Sequence, residues 1–227
     1  MHRKRLTRQI HSDGKKRRSS FLVSLLFAAG DLRRSDSEKT SGTDNMRIFI
    51  TGVGCVGKTT IGSILSSRLG YCFFDLDEEV ERFFGTSIER LQNKFLTIHS
   101  YRNEAAKALI DILAQPNSRD CVIALPPSGL MGGFLSVVKK TPGTSVVLTD
   151  TPENILNRIT FYDIDSRLIK KRLTQKEMRL YLREIKKDIT YFRKTYDRAD
   201  MQVDISGLDA EESAEKVERS LEVVLKK

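Results

Sequence analysis

Residues 52–59 read Gly-Val-Gly-Cys-Val-Gly-Lys-Thr and match the phosphate-binding pattern G-x-x-x-x-G-K-[ST]. An apolar run at 46–51 precedes the motif and predicts a strand, and a helical pattern follows at 58–69. In a strand–loop–helix of this kind, backbone N–H groups surround the phosphates of a nucleotide, and the amino end of the helix adds partial positive charge. The stretch therefore predicts an ATP or GTP site at the start of an α/β domain.

Within this loop, Lys58 is predicted to reach the β- and γ-phosphates, and the Thr59 hydroxyl is predicted to bind Mg²⁺. The other residues expected to contact the nucleotide are Gly52, Gly54, Cys55, Val56, Gly57 and Thr60. Cys55 could be a reactive thiol, but we favour a spacer whose backbone matters. The sequence contains no Cys-x-x-Cys pair, so neither a zinc site nor a disulfide framework is predicted.

The positive charge of the chain is unevenly distributed. The formal net charge is +9 over 227 residues, and residues 1–45 hold 11 Lys and Arg against 5 Asp and Glu. A basic chain suggests a nucleic-acid partner, but no aromatic–basic pattern or recognition motif accompanies the charge. Positive charge near a site for polyphosphate and an acidic substrate is the simpler explanation, so no nucleic-acid partner is predicted.

The first 45 residues look unlike the rest. Residues 1–20 are basic, 21–29 are mostly apolar, and 30–45 are polar. The apolar run is too short to span a bilayer as a helix, so no membrane partner is predicted. The segment is either a targeting peptide or a mis-assigned start, with Met46 as the true first residue. Under both interpretations, residues 1–45 are expected to be disordered and to lie outside the fold. The predicted nucleotide site favours a cytoplasmic location.

From residue 46 onward, strand and helix patterns alternate. Strands are predicted at 47–51, 71–74, 121–125, 145–149 and 201–205. Helices are predicted at 58–69, 76–84, 87–115 with a break, 129–139, 152–161, 174–195 and 209–226. Alternation of this kind after a phosphate loop predicts a five-stranded parallel sheet with helices on both faces. The fold class is α/β, similar to nucleoside-monophosphate kinases.

Two carboxylates, Asp75 and Asp77, close the second predicted strand. Ligands of such sheets bind at the carboxyl ends of the strands, so both side chains are expected at the site. One carboxylate can hold Mg²⁺ through water, and the other can orient and deprotonate a hydroxyl that is being phosphorylated. Either could instead cap the following helix, and the two roles are compatible because a capping carboxylate stands at the same edge.

The motifs at 52–62, 74–80 and 85–88, with the spacing between them, resemble the shikimate kinase family. The resemblance covers 46–227 in the order of elements and is most specific in its first half. It implies a kinase domain that uses ATP and Mg²⁺ to phosphorylate the 3-hydroxyl of shikimate in aromatic amino acid biosynthesis. We expect a monomer whose partner is this small hydroxylated acid.

The family pattern implies roles for particular residues. Asp75 falls in the Mg²⁺ environment and Asp77 at the substrate hydroxyls. Arg102 resembles the family arginine that binds the substrate carboxylate, a role that suits the planar guanidinium fork. Arg167 resembles the catalytic arginine of a lid around 162–175. The family also places an arginine on the nucleotide side, where Arg158 stands here, although a surface helix arginine is an equal alternative.

Two departures from the family pattern fall on the acceptor side. The family has three glycines after the third strand, where this chain reads Leu-Pro-Pro-Ser-Gly at 125–129. Proline has no N–H, so Ser128 and Gly129 are predicted to supply the donors, or else the substrate differs. The late substrate arginine of the family aligns with Tyr191; nearby Arg193 is predicted to replace it, although this segment could equally pack in the core.

These departures keep two other functions open. The acceptor could be another hydroxylated acid or a nucleoside monophosphate, because the phosphate chemistry is intact while the acceptor loop is altered. The chain could also be a non-catalytic ATP-binding regulator that contacts a partner through its basic leader or the long helix at 174–195.

Overall fold

The structure is a computed structural model that describes residues 46–159, 161–162, 168–169 and 173–225. The predicted leader at 1–45 and Arg167 of the predicted lid lie outside these ranges. Among the helices within them, none has the length and apolar character needed to cross a membrane.

The strands form the parallel sheet that the alternating pattern predicts. In chain order they are β1 (Arg47–Thr51), β2 (Cys72–Asp75), β3 (Cys121–Ala124), β4 (Thr144–Thr149), β5 (Phe161–Tyr162), β6 (Leu168–Ile169) and β7 (Met201–Asp204). Five of them form one sheet in the order β2-β3-β1-β4-β7, and every pairing in it is parallel. The carboxyl ends of these five strands therefore share one edge, and the phosphate loop leaves the sheet there.

The described helices are α1 (Lys58–Leu69), α2 (Leu76–Phe84), α3 (Ile88–Gln92), α4 (Ile98–Ala114), α5 (Gly132–Lys140), α6 (Pro152–Asn157), α7 (Gln175–Tyr196) and α8 (Ala210–Leu225). Short polar side chains begin several of them, as their capping preference predicts. Thr97 and Thr151 accept backbone N–H bonds at the starts of α4 and α6, and Thr174 forms a capping box with Glu177 at the start of α7.

Two predicted helices differ from the structure at their ends, and the break predicted in a third is present. The helix predicted at 152–161 stops at Asn157, because the next residues turn and Phe161–Tyr162 pair antiparallel with Leu168–Ile169. The break in 87–115 separates α3 from α4. The helix predicted from 129 begins at Gly132, because Gly129 and Met131 donate their N–H groups to turn carbonyls at Pro126 and Ser128.

The core lies on both faces of the sheet. Every residue of β3 is buried, and Ile48, Phe49 and Ile50 of β1 are at most 1% exposed. Such continuous apolar runs are typical of parallel strands that are covered on both sides. Helix α1 packs against β3 and α8, and α4 packs against α5. Packing in the core therefore sets the positions of α1, which follows the phosphate loop, and of α4, which carries Arg102.

Edge strand β7 is joined to β4 by a carboxylate. One oxygen of Asp200 accepts the backbone N–H of Ser145 at 2.7 Å and its hydroxyl at 2.6 Å. Ser145 is 4% exposed, so water cannot replace this partner for its N–H and hydroxyl. The contact lies at the start of β4, at the edge of the sheet opposite the phosphate loop.

We predict that Asp200→Ala lowers the free energy of unfolding by about 2 kcal/mol, because the buried N–H and hydroxyl donors of Ser145 lose their charged acceptor. Urea unfolding measures the change. Asp111→Ala is the control, since Asp111 is exposed on α4, and we expect it to change stability by less than about 0.5 kcal/mol. Equal effects of the two substitutions would contradict the role of Asp200.

Candidate active site

The phosphate loop owes its shape to residues with positive φ. Gly52 has φ 148°, and a Cβ there would lie 2.6 Å from the carbonyl oxygen of Leu148 in β4. Gly57 has φ 110°, whereas Gly54 has open space around it. Cys55 has φ 64°, a left-handed conformation that costs a side-chain-bearing residue about 1 kcal/mol. The loop is therefore held in a conformation that needs glycine at 52 and tolerates cysteine at 55.

Lys58 is the first residue of α1 and lies beneath this loop. It is 4% exposed, and its Nζ donates to the carbonyl oxygens of Gly52 at 3.0 Å and Val53 at 3.1 Å. These bonds hold the ammonium group beside the backbone that would surround phosphates. The placement agrees with the position predicted for Lys58.

Thr59 and Asp75 are brought together from different elements. The Thr59 hydroxyl donates to Asp75 Oδ2 at 2.6 Å, while Asp75 Oδ1 accepts the N–H of Asp77 at 3.0 Å. Asp75 is thus the N-cap of α2 and also faces the phosphate loop, so both predicted roles are open to it.

This pair of oxygen donors suits Mg²⁺. That ion usually binds one or two carboxylates, waters and substrate phosphates, and rarely a cage made by protein alone. Within the described ranges no three His, Cys, Asp or Glu side chains form a metal-binding group. Thr59 and Asp75 are therefore the described residues that fit a magnesium ion shared with a nucleotide.

Asp77 stands in the first turn of α2, next to α4. Burial raises the pKa of Tyr101 to about 12, and the negative charge of Asp77 adds to the rise. Tyr101 precedes Arg102 on α4, so the carboxylate predicted to bind a hydroxyl and the guanidinium predicted to bind a carboxylate lie on adjoining elements. The two residues predicted to bind the acceptor, Asp77 and Arg102, therefore lie on helices that pack against each other.

Arg102 is a buried cation without a counter-ion among the described residues. It is 8% exposed, and its Nε, shielded from solvent, donates to no described group. A buried guanidinium with an unsatisfied donor is costly unless an anion completes it. The geometry therefore fits a site that takes an anionic ligand, which agrees with the carboxylate predicted there.

Arg158 lies against the phosphate loop. Its Nη1 donates to the Val56 carbonyl at 3.4 Å and forms an ion pair with Asp150. The Asp150 side chain is fully buried and also accepts from the Thr151 N–H and the Asn154 amide, each at 2.7 Å. Sequence reasoning missed Asp150. An acidic residue directly after a buried strand was the available signal, as it was for Asp75.

The loop at 125–131, here called the proline loop, is held in place by hydrogen bonds to its carbonyl oxygens. The Pro126 carbonyl accepts from the Thr51 hydroxyl at 2.9 Å, and the Pro127 carbonyl accepts from the Tyr196 hydroxyl at 3.2 Å. The Gly129 N–H also donates to Pro126, at 2.8 Å, so it is already engaged within the turn. Ser128 is half-buried and its hydroxyl makes no hydrogen bond to a described residue.

Arg193 is exposed on α7, and Tyr191, at the family's arginine position, is 61% exposed. No described hydrogen bond or ion pair joins either residue to Arg102 or Asp77. Arg167 lies outside the described residues.

Comparison with known proteins agrees with the geometry. The family model for shikimate kinase matches residues 54–222. A shikimate kinase of Aquifex aeolicus (strain VF5) is 32% identical over 161 residues, which cover 70% of this chain and 86% of that protein. Threonine synthase-like 1 of Macaca fascicularis is 28% identical over 224 residues, which cover 95% of this chain but 28% of that protein.

Among solved structures, the crystal structure of shikimate kinase from Aquifex aeolicus matches with a TM-score of 0.54 and 31% identity. The match covers 78% of this chain and 96% of that one. The predicted fold class is therefore confirmed.

We predict that Gly52→Ala lowers the free energy of unfolding by at least 2 kcal/mol, roughly the sum of left-handed backbone strain and a clash with β4. Gly54→Ala is the matched control, because a Cβ there meets nothing within 4 Å, and we expect a change below about 0.5 kcal/mol. Denaturant unfolding of both variants measures the difference. Equal stabilities would show that the approach of Gly52 to Leu148 is not required.

Proposed function

This chain belongs to the shikimate kinase family, and from that premise we propose that it transfers the γ-phosphoryl group of ATP to the 3-hydroxyl of shikimate. The products are shikimate 3-phosphate and ADP. The observation that carries the proposal is the 2.6 Å contact between Thr59 and Asp75, with Asp77 two residues further on. This contact supports a Mg²⁺ position between the phosphate loop and Asp77, the residue that would bind the acceptor hydroxyl.

On the nucleotide side, the chain supplies positive charge and backbone donors. The residues we assign to the phosphates through their backbone are Gly52, Gly54, Cys55, Val56, Gly57 and Thr60. Lys58 stabilises charge on the β- and γ-phosphates, and Arg158, held by Asp150, borders the nucleotide. Mg²⁺ held by Thr59 and Asp75 would neutralise charge on the phosphate oxygens.

On the acceptor side, Asp77 accepts the hydroxyl proton and orients the oxygen for attack. A bond then forms between that oxygen and the γ-phosphorus, while the bond to the bridging oxygen breaks and ADP leaves with the electron pair. Arg102 binds the acceptor carboxylate as a fork of donors. Arg167, which lies outside the described residues, is proposed as the lid cation that stabilises the transferring group.

A second candidate keeps this chemistry and changes the acceptor to another small hydroxylated acid. The observation that favours it is the anchoring of the Pro126 and Pro127 carbonyls by Thr51 and Tyr196. Two prolines in a fixed loop offer no backbone N–H, so the ring of the acceptor must be recognised differently from the family pattern. In both cases we propose a cytoplasmic monomer without nucleic-acid or membrane partners.

The acceptor is tested by ADP release from the full chain with ATP, Mg²⁺ and millimolar shikimate. We expect saturable, shikimate-dependent ADP formation. ADP formed only with another hydroxylated acid from a panel would favour the second candidate. ATP binding without turnover on any acceptor would refute both and favour a non-catalytic regulator.

We predict that Asp77→Asn and Lys58→Ala each lower kcat by about 10²–10⁴-fold, because one removes the proton acceptor and the other removes phosphate charge stabilisation. Circular dichroism should show an unchanged fold. Asp111→Asn, an exposed change on α4, is the control and should keep full activity. Substantial residual turnover in Asp77→Asn would remove Asp77 from the hydroxyl role.

A further inference from the structure

We infer that Cys72 and Cys121 form a dithiol site that hydrogen peroxide oxidises to an intramolecular disulfide. The site lies at the starts of β2 and β3, at the edge of the sheet opposite the phosphate loop. The inference does not depend on the proposed function, because it concerns thiol chemistry away from the residues assigned to ATP and the acceptor.

The sheet places the two cysteines side by side. Strands β2 and β3 pair in parallel with Cys72 in register with Cys121, and the Cys72 N–H donates to the Asp120 carbonyl at 3.1 Å. Neighbouring strands lie about 4.8 Å apart, which is within the range of roughly 4.4–6.8 Å between the Cα atoms of disulfide-bonded cysteines. The backbone spacing therefore permits a bridge without a change of strand pairing.

Both thiols lie on the same face of the sheet. The next residues along the strands, Phe73 and Val122, are also in register. A Cβ at Gly62 of α1 would lie 2.8 Å from the Phe73 ring and 3.5 Å from the Val122 side chain, so these two side chains face α1. Because successive side chains of a strand point to opposite faces, Cys72 and Cys121 both point away from α1.

The two sulfurs differ in their surroundings, and the difference assigns a role to each. Cys121 is fully buried, and its S–H donates to the Ser118 carbonyl at 3.4 Å. Burial raises the pKa of Cys121 to about 11, and the nearby Cys72 adds to the rise. Cys72 is half-buried on the edge strand of the sheet, so an oxidant reaches it first. Cys121 is then the resolving thiol beside it.

The reaction consumes one hydrogen peroxide for each disulfide. The Cys72 sulfur attacks the peroxide, the O–O bond breaks, and water leaves, so that Cys72 becomes a sulfenic acid. The Cys121 sulfur then attacks the Cys72 sulfur, an S–S bond forms, and the S–O bond breaks. The departing hydroxide takes the Cys121 proton and leaves as a second water, so the two thiols together lose two hydrogens.

The third cysteine of the chain provides an internal control. Cys55 follows the carboxyl end of β1, whereas Cys121 is in register with Arg47 at the start of that strand. A strand of this length separates its two ends by roughly 15 Å, about twice the distance between Cα atoms that a disulfide can bridge. Cys55 is therefore expected to stay outside the bridge.

A bridge at this position encloses the segment that carries the proposed acceptor residues. Residues 73–120 lie between the two cysteines and contain α2, α3 and α4, with Asp77 and Arg102. Joining the ends of a long loop removes conformational entropy from the unfolded chain and so stabilises the fold. We therefore expect the oxidised protein to have a higher Tm than the reduced protein, by several degrees.

Treatment of the full chain with excess hydrogen peroxide at neutral pH tests the site. We expect mass spectrometry of the digested protein to show one pair of peptides linked through Cys72 and Cys121, and dithiothreitol to release the link. Cys55→Ser should give the same linked pair, because Cys55 takes no part in the bridge. Cys72→Ser should give no linked pair and no rise in Tm on oxidation.

Cys121→Ala separates the two steps of the reaction. Without the resolving thiol, the Cys72 sulfenic acid should continue to sulfinic acid, a gain of about 32 Da that dithiothreitol does not reverse. The wild-type result stands alone even if this variant, which empties a buried position, is less stable.

Three results in the wild-type chain would overturn the site: no linked peptides, a link that includes Cys55, or conversion of Cys72 to sulfinic acid. A link between Cys72 and Cys121 with an unchanged Tm would support the dithiol and overturn its stabilising effect. None of these readouts requires phosphoryl transfer, so they hold whether or not shikimate is phosphorylated.

Discussion

The hydrogen bond between the Thr59 hydroxyl and Asp75 joins the start of α1 to the end of β2, although β2 and β1 are not neighbours in the sheet. Strand β3 lies between them, so α1 must cross it closely for the two residues to meet. Gly62 permits this approach, because a Cβ there would lie 2.8 Å from the Phe73 ring. The site depends on this crossing, since the proposed metal ligands and Asp77 are positioned by where β2 ends.

Asp150 repeats the same arrangement on the other side of β1. It follows β4, is fully buried, and holds Arg158 against the loop at Val56. A carboxylate at the end of β2 and another after β4 therefore flank the phosphate loop. The first accepts from Thr59, and the second pairs with Arg158. The proposed acceptor side is made differently, from α2, α4 and the proline loop.

Local sequence signals predicted the sheet and the loop, and they placed Asp75 at the same edge as the loop, because the carboxyl ends of parallel strands share one edge. They did not reveal that the Arg102 Nε has no hydrogen-bond partner among the described residues, since that depends on how α4 packs against its neighbours. The helix predicted through 161 also failed, because pairing of Phe161–Tyr162 with Leu168–Ile169 outweighs helix periodicity. Contacts between distant segments decide such features.

The strand order has a consequence for how the chain assembles. Strand β1, which carries the phosphate loop, is central, and its hydrogen-bonded neighbours are β3 and β4. During synthesis from the amino end, β1 and β2 both emerge before either has a partner in the sheet, and β1 gains one only when residues 121–124 appear. Non-local pairings of this kind form slowly. The phosphate loop is thus synthesised early, but the sheet that holds it is completed late. The apolar strand β1 stays unpaired while about a third of the protein is added.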